Sequence, residues 1–287
     1  MKVALIGYGY WGKKVYQTLT NLFSSQDITV VDPYLTPLSK GLQVESLEFV
    51  LLEKDINYVF IVTPEETHFK IAKQCLENGK NIFVEKPLCL KESEAQELHK
   101  IAKKNKLKIF VDYIFIYDSY VKKIKQIIEK ELLGDVVHIE SVRHSININK
   151  PNVSVFDDLA THDIYLGKYF LEKNISSIKT RKESIKSKQI NQALVTFYYG
   201  KLTFSAHYSW VQPIAKRVMT FIGSKASLVW DKDEKCLQIY KNQKLLKKVK
   251  VEEDKSPLEV SIAKFLFKNN NYNYSKDVKF LEKLNSL

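Results

Sequence analysis

Two short stretches carry side chains whose types and spacing suit chemistry. In FDDLATHDIYL, residues 156–166, Asp158 and His162 stand four apart. If the segment from Leu159 is helical they share one face at the helix start, where the carboxylate can orient the imidazole and support its positive form. That pair is equipped to act as a base. In NIFVEKP, residues 81–87, an apolar strand stops on Glu85, Lys86 and Pro87. An ion pair and a proline thus stand where a buried parallel strand ends, a place where a polar group faces a ligand more readily than a core.

The elements that must position these groups begin at the amino terminus. KVALIG reads as a continuous apolar strand and runs into Gly7-Tyr8-Gly9-Tyr10-Trp11-Gly12, then into KKVYQTLTNLF with helical apolar spacing at Val15, Leu19 and Leu22/Phe23. Strand, G-x-G-x-x-G and helix in that order suit a dinucleotide. Gly7 allows the tight turn, Gly9 lets backbone approach a pyrophosphate, and Gly12 allows close packing of helix on strand. The amides near Tyr10 and Trp11 turn the positive end of the helix toward phosphates. The next strand, ITVVD, ends in Asp32, twenty residues past Gly12, where a carboxylate bonds ribose hydroxyls. A carboxylate there repels a 2′-phosphate and no arginine follows it, so NAD is favoured over NADP, with nearby lysines able to offset the charge.

A second strand, YVFIVTP (residues 58–64), leads to a helix expected from about Glu66 to Asn78 and closed by Gly79 as a left-handed cap. NIFVEKP follows. Alternating strands and helices build a doubly wound parallel sheet with its ligands beyond the carboxyl ends of the strands. Glu85 and Lys86 would then lie beside the nicotinamide half of the cofactor. After KIFVDYIFIY and an amphipathic helix at about 118–132 the pattern changes to successive strands, from VVHIESVRHSI to KLLKKVKV, with turn signals such as Tyr199-Gly200-Lys201 between them. KNNNYNYSK, residues 268–276, reads as a loop between two final helices.

Composition narrows the function classes. At 287 residues and 45% hydrophobic the chain has material for two domains. The net charge of +12 rests on 45 basic residues, of which only Arg143, Arg181 and Arg217 are arginines. Lysine spread over the whole chain, without a zinc finger, an RNP motif or a basic helix, argues against nucleic acid and is compatible with attraction of a phosphorylated small substrate. Cys75, Cys89 and Cys236 are scattered and lack CxxC spacing, so neither disulfides nor a zinc site are expected, and the N-x-S sequences at Asn152, Asn174 and Asn273 are expected to carry no sugar. The apolar run before Gly7 is too short for a signal peptide and no stretch reaches the roughly 18 apolar residues of a membrane span, so a cytoplasmic protein is expected. Asp157, Asp158, His162 and Asp163 lack a second ligand cluster, and no metal is expected there.

GYGYWG, VTPEETH and VEKPL, with FDDLATHDIYL and TFIGSKASLVWD downstream, resemble the Gfo/Idh/MocA family of NAD(P)-dependent sugar oxidoreductases over nearly the whole chain. The resemblance implies an α/β protein: a Rossmann domain over residues 1–116, then an α/β domain over 117–287 with a large, open, mostly antiparallel sheet that commonly serves oligomer contacts, hence a homodimer or homotetramer. By the same resemblance His162 takes the proton of a substrate hydroxyl while hydride leaves the same carbon for the nicotinamide. Lys86 bonds the oxygen as it becomes a carbonyl, and Asp158 tunes His162 and touches the sugar. Thr63, Pro64, His68 and Glu85 join Lys86 on the cofactor side, with His68 holding the local turn rather than reacting. Arg143 is suited to a phosphate or carboxylate of the substrate, or equally to a structural ion pair. Tyr113 and Tyr117 fall at the junction between domains, where a substrate pocket should open.

VDYIFIY, VKKIK and DLATHDI resemble the branch of the family acting on nucleotide-linked sugars, including enzymes that oxidise the 3-hydroxyl of a UDP-N-acetylhexosamine. The stretch between Asp32 and Tyr58 is compact and the second domain is short for the family, which implies an open pocket or a partner completing it. Two further readings share the fold: a redox-neutral enzyme that retains its NAD, and a protein that senses NAD or sugar without turnover.

Overall fold

Apolar strands alternating with amphipathic helices build the first of two units into which the chain divides, Met1–Ile114 together with Leu258–Leu287; the second is Phe115–Pro257. The computed structural model describes residues 1–35, 42–145, 154–185, 188–252, 255–268 and 278.

In the first unit β1 (Lys2–Ile6), α1 (Tyr10–Thr20), β2 (Ile28–Val31), β3 (Gln43–Val44), α2 (Leu47–Leu52), β4 (Ile56–Ile61), α3 (Glu65–Glu77), β5 (Asn81–Glu85), α4 (Glu92–Asn105) and β6 (Ile109–Asp112) follow one another. The six strands form one parallel sheet in the order β3-β2-β1-β4-β5-β6. This is the doubly wound order, with its switch point between β1 and β4. Helices cover both faces of such a sheet, which is why its central strands read as unbroken apolar runs: Val3, Ala4, Leu5, Val59, Phe60, Ile61, Ile82, Phe83 and Val84 are all fully buried. α1 is shorter than its apolar spacing suggests. It stops at Thr20, leaving Leu22 exposed, after Thr18 and Thr20 turn their hydroxyls back onto the Lys14 and Gln17 carbonyls. Gly79, at φ +77°, follows α3 where a left-handed residue was expected.

The second unit holds α5 (Ser119–Glu129), β7 (Val136–His144), α6 (Val155–Leu171), β8 (Ser177–Glu183), β9 (Gln192–Tyr199), β10 (Leu202–Ser209), β11 (Lys216–Gly223), β12 (Ser227–Asp231), β13 (Cys236–Lys241) and β14 (Lys244–Val249). Their eight-stranded sheet runs β14-β13-β12-β11-β7-β10-β9-β8, parallel between β7 and β10 and antiparallel elsewhere. Strict alternation in β10 places Phe204, Ala206 and Tyr208 under α6 and leaves Thr203, Ser205 and His207 on the other face. α6 approaches so closely that a Cβ on Gly167 would lie 2.3 Å from the Tyr199 hydroxyl. The helix also begins four residues earlier than Leu159. Ser154 caps it, its Oγ accepting from the Asp157 N–H at 3.1 Å and donating to Asp157 Oδ2 at 2.5 Å, a reciprocal cap that the S-x-x-D spacing makes possible.

One segment departs from the expected division at residue 116. From Leu258 onward α7 (Pro257–Phe267) belongs to the first unit, not the second. Its apolar stripe of Leu258, Ile262, Phe265 and Leu266 is buried, with the Phe265 ring 5.4 Å from those of Tyr58 and Phe60 and 5.8 Å from that of Phe83. Burying a phenylalanine is worth about 1.5–3 kcal/mol, and the face of the parallel sheet needs a helix. Apolar periodicity marks the helix but not which sheet it covers. The segment 269–277 lies outside the described residues.

Candidate active site

The glycine loop is built to admit a phosphate group. Gly7 sits at φ +97° with no room for a side chain: a Cβ there would lie 2.5 Å from the Val62 carbonyl oxygen. A Cβ on Gly12 would lie 2.2 Å from the Gly7 carbonyl oxygen, so α1 starts in contact with the turn. At Gly9, by contrast, an added Cβ would meet nothing within 4 Å, and Gly9 is the N-cap of α1 with no side chain bonding the helix start. Backbone amides at an uncapped helix N-terminus beside open space suit a pyrophosphate. Trp11 is half-buried there and Tyr10 lies in solvent.

Asp32 closes the other side. Its Oδ2 accepts the Tyr8 N–H at 2.7 Å and its Oδ1 the Tyr34 N–H at 2.9 Å, tying the end of β2 to the glycine loop. Each oxygen keeps a lone pair for a ribose hydroxyl. The residues present therefore fit NAD. Asp32→Ala is expected to weaken both NAD and NADP, because the loop loses its tie, but NAD more, because the repulsion of a 2′-phosphate goes too. Dissociation constants for the two cofactors check this, and an unchanged ratio would refute the ribose contact.

The ends of β4 and β5 are strapped together by His68. It is fully buried in α3, with Nδ1 2.7 Å from the Pro87 carbonyl oxygen and Nε2 2.9 Å from that of Thr63. Burial holds its imidazole below the ordinary value, against the pull of both carbonyls. Thr63 and Thr67 share a hydroxyl contact of 2.6 Å, and Pro64 caps α3. Glu85 and Lys86 thus emerge from a fixed strand end, across a cis Lys86–Pro87 bond.

Glu85 is not a solvated partner of Lys86. Its Oε1 is sealed from water, and burial pushes its carboxyl up to about 7 although the Lys86 charge and the Trp11 indole both pull it down. Trp11 Nε1 nears this carboxylate without closing a well-formed hydrogen bond. Glu85 is in register with Asp112 on β6, a residue sequence reading passed over. Burial, then the Glu85 charge, raise the Asp112 carboxyl well above its usual range, and Ser261 of α7 donates to its Oδ1 at 2.5 Å. Two carboxyls placed side by side resist being ionised together. Tyr113, next along, is buried in this unit, and Tyr117 is buried in the second.

In the second unit α6 brings Asp158 and His162 onto one half-buried stripe with Tyr165, flanked by the buried Leu159, Thr161 and Asp163. The imidazole of His162 meets the Phe115 ring edge to face at 4.6 Å. Above the same ring lies the guanidinium of Arg143, 5.1 Å from its centroid. Of the two alternatives for Arg143 the structure displays the ion pair: Nε donates to Asp163 Oδ1 at 2.7 Å, and a terminal guanidinium nitrogen lies 2.6 Å from the same oxygen. Tyr208 donates to Asp163 Oδ2 at 3.1 Å. Asp163, Tyr208 and Phe115 were invisible as a group in the sequence, since their meeting depends on the register of β7 against β10. The adjacency of Asp163 to His162 was the one available sign. Among the described residues no group of three His, Cys, Asp or Glu gathers as a metal site would require, and no helix is long and apolar enough to cross a membrane.

A family profile described as "Oxidoreductase family, NAD-binding Rossmann fold" (GFO_IDH_MocA) matches residues 1–113. The uncharacterized oxidoreductase YdgJ of Escherichia coli is 30% identical over 152 residues, covering 49% of this chain and 42% of the relative. Inositol 2-dehydrogenase of Rhodococcus erythropolis is 26% identical over 200 residues, 65% and 57% of the two chains. The chain thus spans about half the length of these curated relatives. Among solved structures, UDP-N-acetylglucosamine 3-dehydrogenase GnnA from Acidithiobacillus ferrooxidans superimposes with a TM-score of 0.84 at 20% identity, covering 99% of this chain and 95% of that one. Such a likeness is one of fold.

Proposed function

We propose that this chain, a member of the Gfo/Idh/MocA oxidoreductase family through its residues 1–113, transfers a hydride between NAD and a ring hydroxyl or ketone of a nucleotide-activated sugar. The observation that carries the reading is the half-buried stripe of α6, where Asp158 and His162 stand one turn apart over an aromatic floor. Relatives named for dehydrogenation of inositol and of UDP-N-acetylglucosamine support a ring carbinol as the reacting centre.

In the oxidising direction His162 accepts the proton of the substrate hydroxyl, and Asp158 stabilises the imidazolium that results. Lys86 donates to the same oxygen as the carbon–oxygen double bond forms. NAD, when bound, supplies the acceptor of the hydride that leaves the carbon. In the reducing direction His162 returns the proton. Phe115 limits the ring orientations open to His162 and withholds water from one face. The face of the eight-stranded sheet away from α6 serves a second copy of the chain, in a homodimer or homotetramer.

The test is NADH formation on mixing the purified protein with NAD and UDP-, dTDP- or GDP-sugars, sugar phosphates or free sugars. Turnover on one nucleotide sugar is the expected result. Silence across all of them, with NAD binding measured separately, would replace this reading by a redox-neutral or sensing role.

A further inference from the structure

Two of the three arginines in a chain of 42 lysines stand directly opposite one another. Arg217 of β11 is the cross-strand partner of Arg143 of β7. Like charges facing each other across an antiparallel pair destabilise it. Asp163 neutralises Arg143, but among the described residues Arg217 closes no ion pair. A third cation, Lys232 in the turn after β12, lines the same cavity of about 40 Å³ with both arginines, Phe115 and Trp230, and it too closes no ion pair among the described residues. Asp118, at the rim, already accepts the Tyr120 and Val121 N–H groups.

The charges feel one another. Burial, then the Arg143 charge, lower the Arg217 guanidinium, with Asp158 opposing. Burial, then Arg217 and more weakly Arg143, lower the Lys232 ammonium, with Asp118 and Asp233 opposing. The buried Arg143 and the exposed Arg217 and Lys232 thus bring two planar forks and an ammonium to one cavity, from β7, β11 and the turn after β12.

We propose that Arg217 and Lys232, backed by Arg143, form an anion subsite that takes a phosphoryl group, phosphate or diphosphate. A carboxylate is planar and suits a single guanidinium fork, whereas three cationic donors from separate elements suit a tetrahedral oxyanion carrying about two charges. A cavity of this size holds a few waters or one such group. Phe115, which lines the cavity, also meets the His162 ring at 4.6 Å, so the subsite adjoins the reacting stripe of α6. Resting on the function proposed above, it selects a phosphorylated or nucleotide-linked sugar over a free one.

The experiment reads binding, not turnover, and so stands whether or not a sugar is ever oxidised. Full-length protein saturated with NAD, which fills the glycine loop, is titrated calorimetrically with inorganic phosphate, inorganic diphosphate and acetate. Phosphate or diphosphate should bind and acetate should not. Arg217→Ala should weaken binding about tenfold or more, with Arg217→Lys between it and the wild type. Arg181→Ala removes the same charge from the exposed strand β8 and should change nothing. Without ligand, Arg217→Ala should melt at the same temperature or higher, because a repulsion has been removed. Equal binding by Arg217→Ala and wild type, equal losses in Arg181→Ala and Arg217→Ala, acetate binding as tightly as phosphate, or a lower melting temperature for Arg217→Ala would each overturn the assignment.

Discussion

Replacing His162 by alanine is expected to lower turnover about 10²–10⁴-fold while the NAD dissociation constant stays within a factor of two or so of the wild type. Lys86→Ala should lose about 10²–10³-fold for a different reason: the oxygen that gains or loses charge has no donor. The two losses should respond differently to pH. Removing the base abolishes the acid limb of the pH–rate profile, whereas removing Lys86 depresses the whole curve. Both residues lie outside the glycine loop and outside the Asp32 tie that hold the cofactor, Lys86 at the end of β5 and His162 on α6. Cofactor affinity is therefore the control that separates chemistry from folding. A His162→Ala enzyme turning over at the wild-type rate would remove His162 from the mechanism and leave Asp158 without its proposed purpose.

The parts of this molecule readable in sequence are those fixed by local rules. G-x-G-x-x-G after an apolar strand is a statement about backbone room, and Gly7, Gly9 and Gly12 have the room, or lack of it, that such a loop needs. The strands of the second unit were legible because alternation has a period of two, whatever the partner strand. Pairings were not. Arg143 faces Arg217 because of the β7–β11 register, and reaches Asp163 because α6 lies over β9 and β10. None of these distances is written within a window of ten residues. The start of α6 lies before Leu159 for a smaller reason: Ser154 and Asp157 make a local cap, and it is the cap that sets the first turn. α7 escaped for the opposite reason, since its apolar stripe would suit any apolar sheet, and only the packing of Phe265 on Phe60 and Phe83 decides which.

Asp163→Ala should be the most destabilising single change in the second unit, by about 3–5 kcal/mol. Asp163 is fully buried and Arg143 only 7% exposed, so the variant strands a guanidinium in an apolar setting with no counter-charge. Tyr208, also fully buried, loses the acceptor of its hydroxyl at the same stroke. For a unit of this size each kcal/mol moves the melting temperature by about 2–4 °C, which predicts a fall on the order of 10 °C by calorimetry. The pair itself is weak evidence for net stability, because desolvating two charges costs nearly what their attraction returns. It follows that removing all three polar groups together, by Arg143→Met, Asp163→Leu and Tyr208→Phe, should recover most of what Asp163→Ala loses. Stability alone would then leave the cluster unexplained, and its other contact becomes the telling one. Arg143 sits on the Phe115 ring, and that ring bears on His162. The triple variant should be folded yet impaired in turnover, with its loss in kcat rather than in NAD affinity. A stable triple variant with full activity would reduce the cluster to a structural ion pair, and an Asp163→Ala protein with an unshifted melting temperature would contradict the buried charge balance on which the whole argument rests.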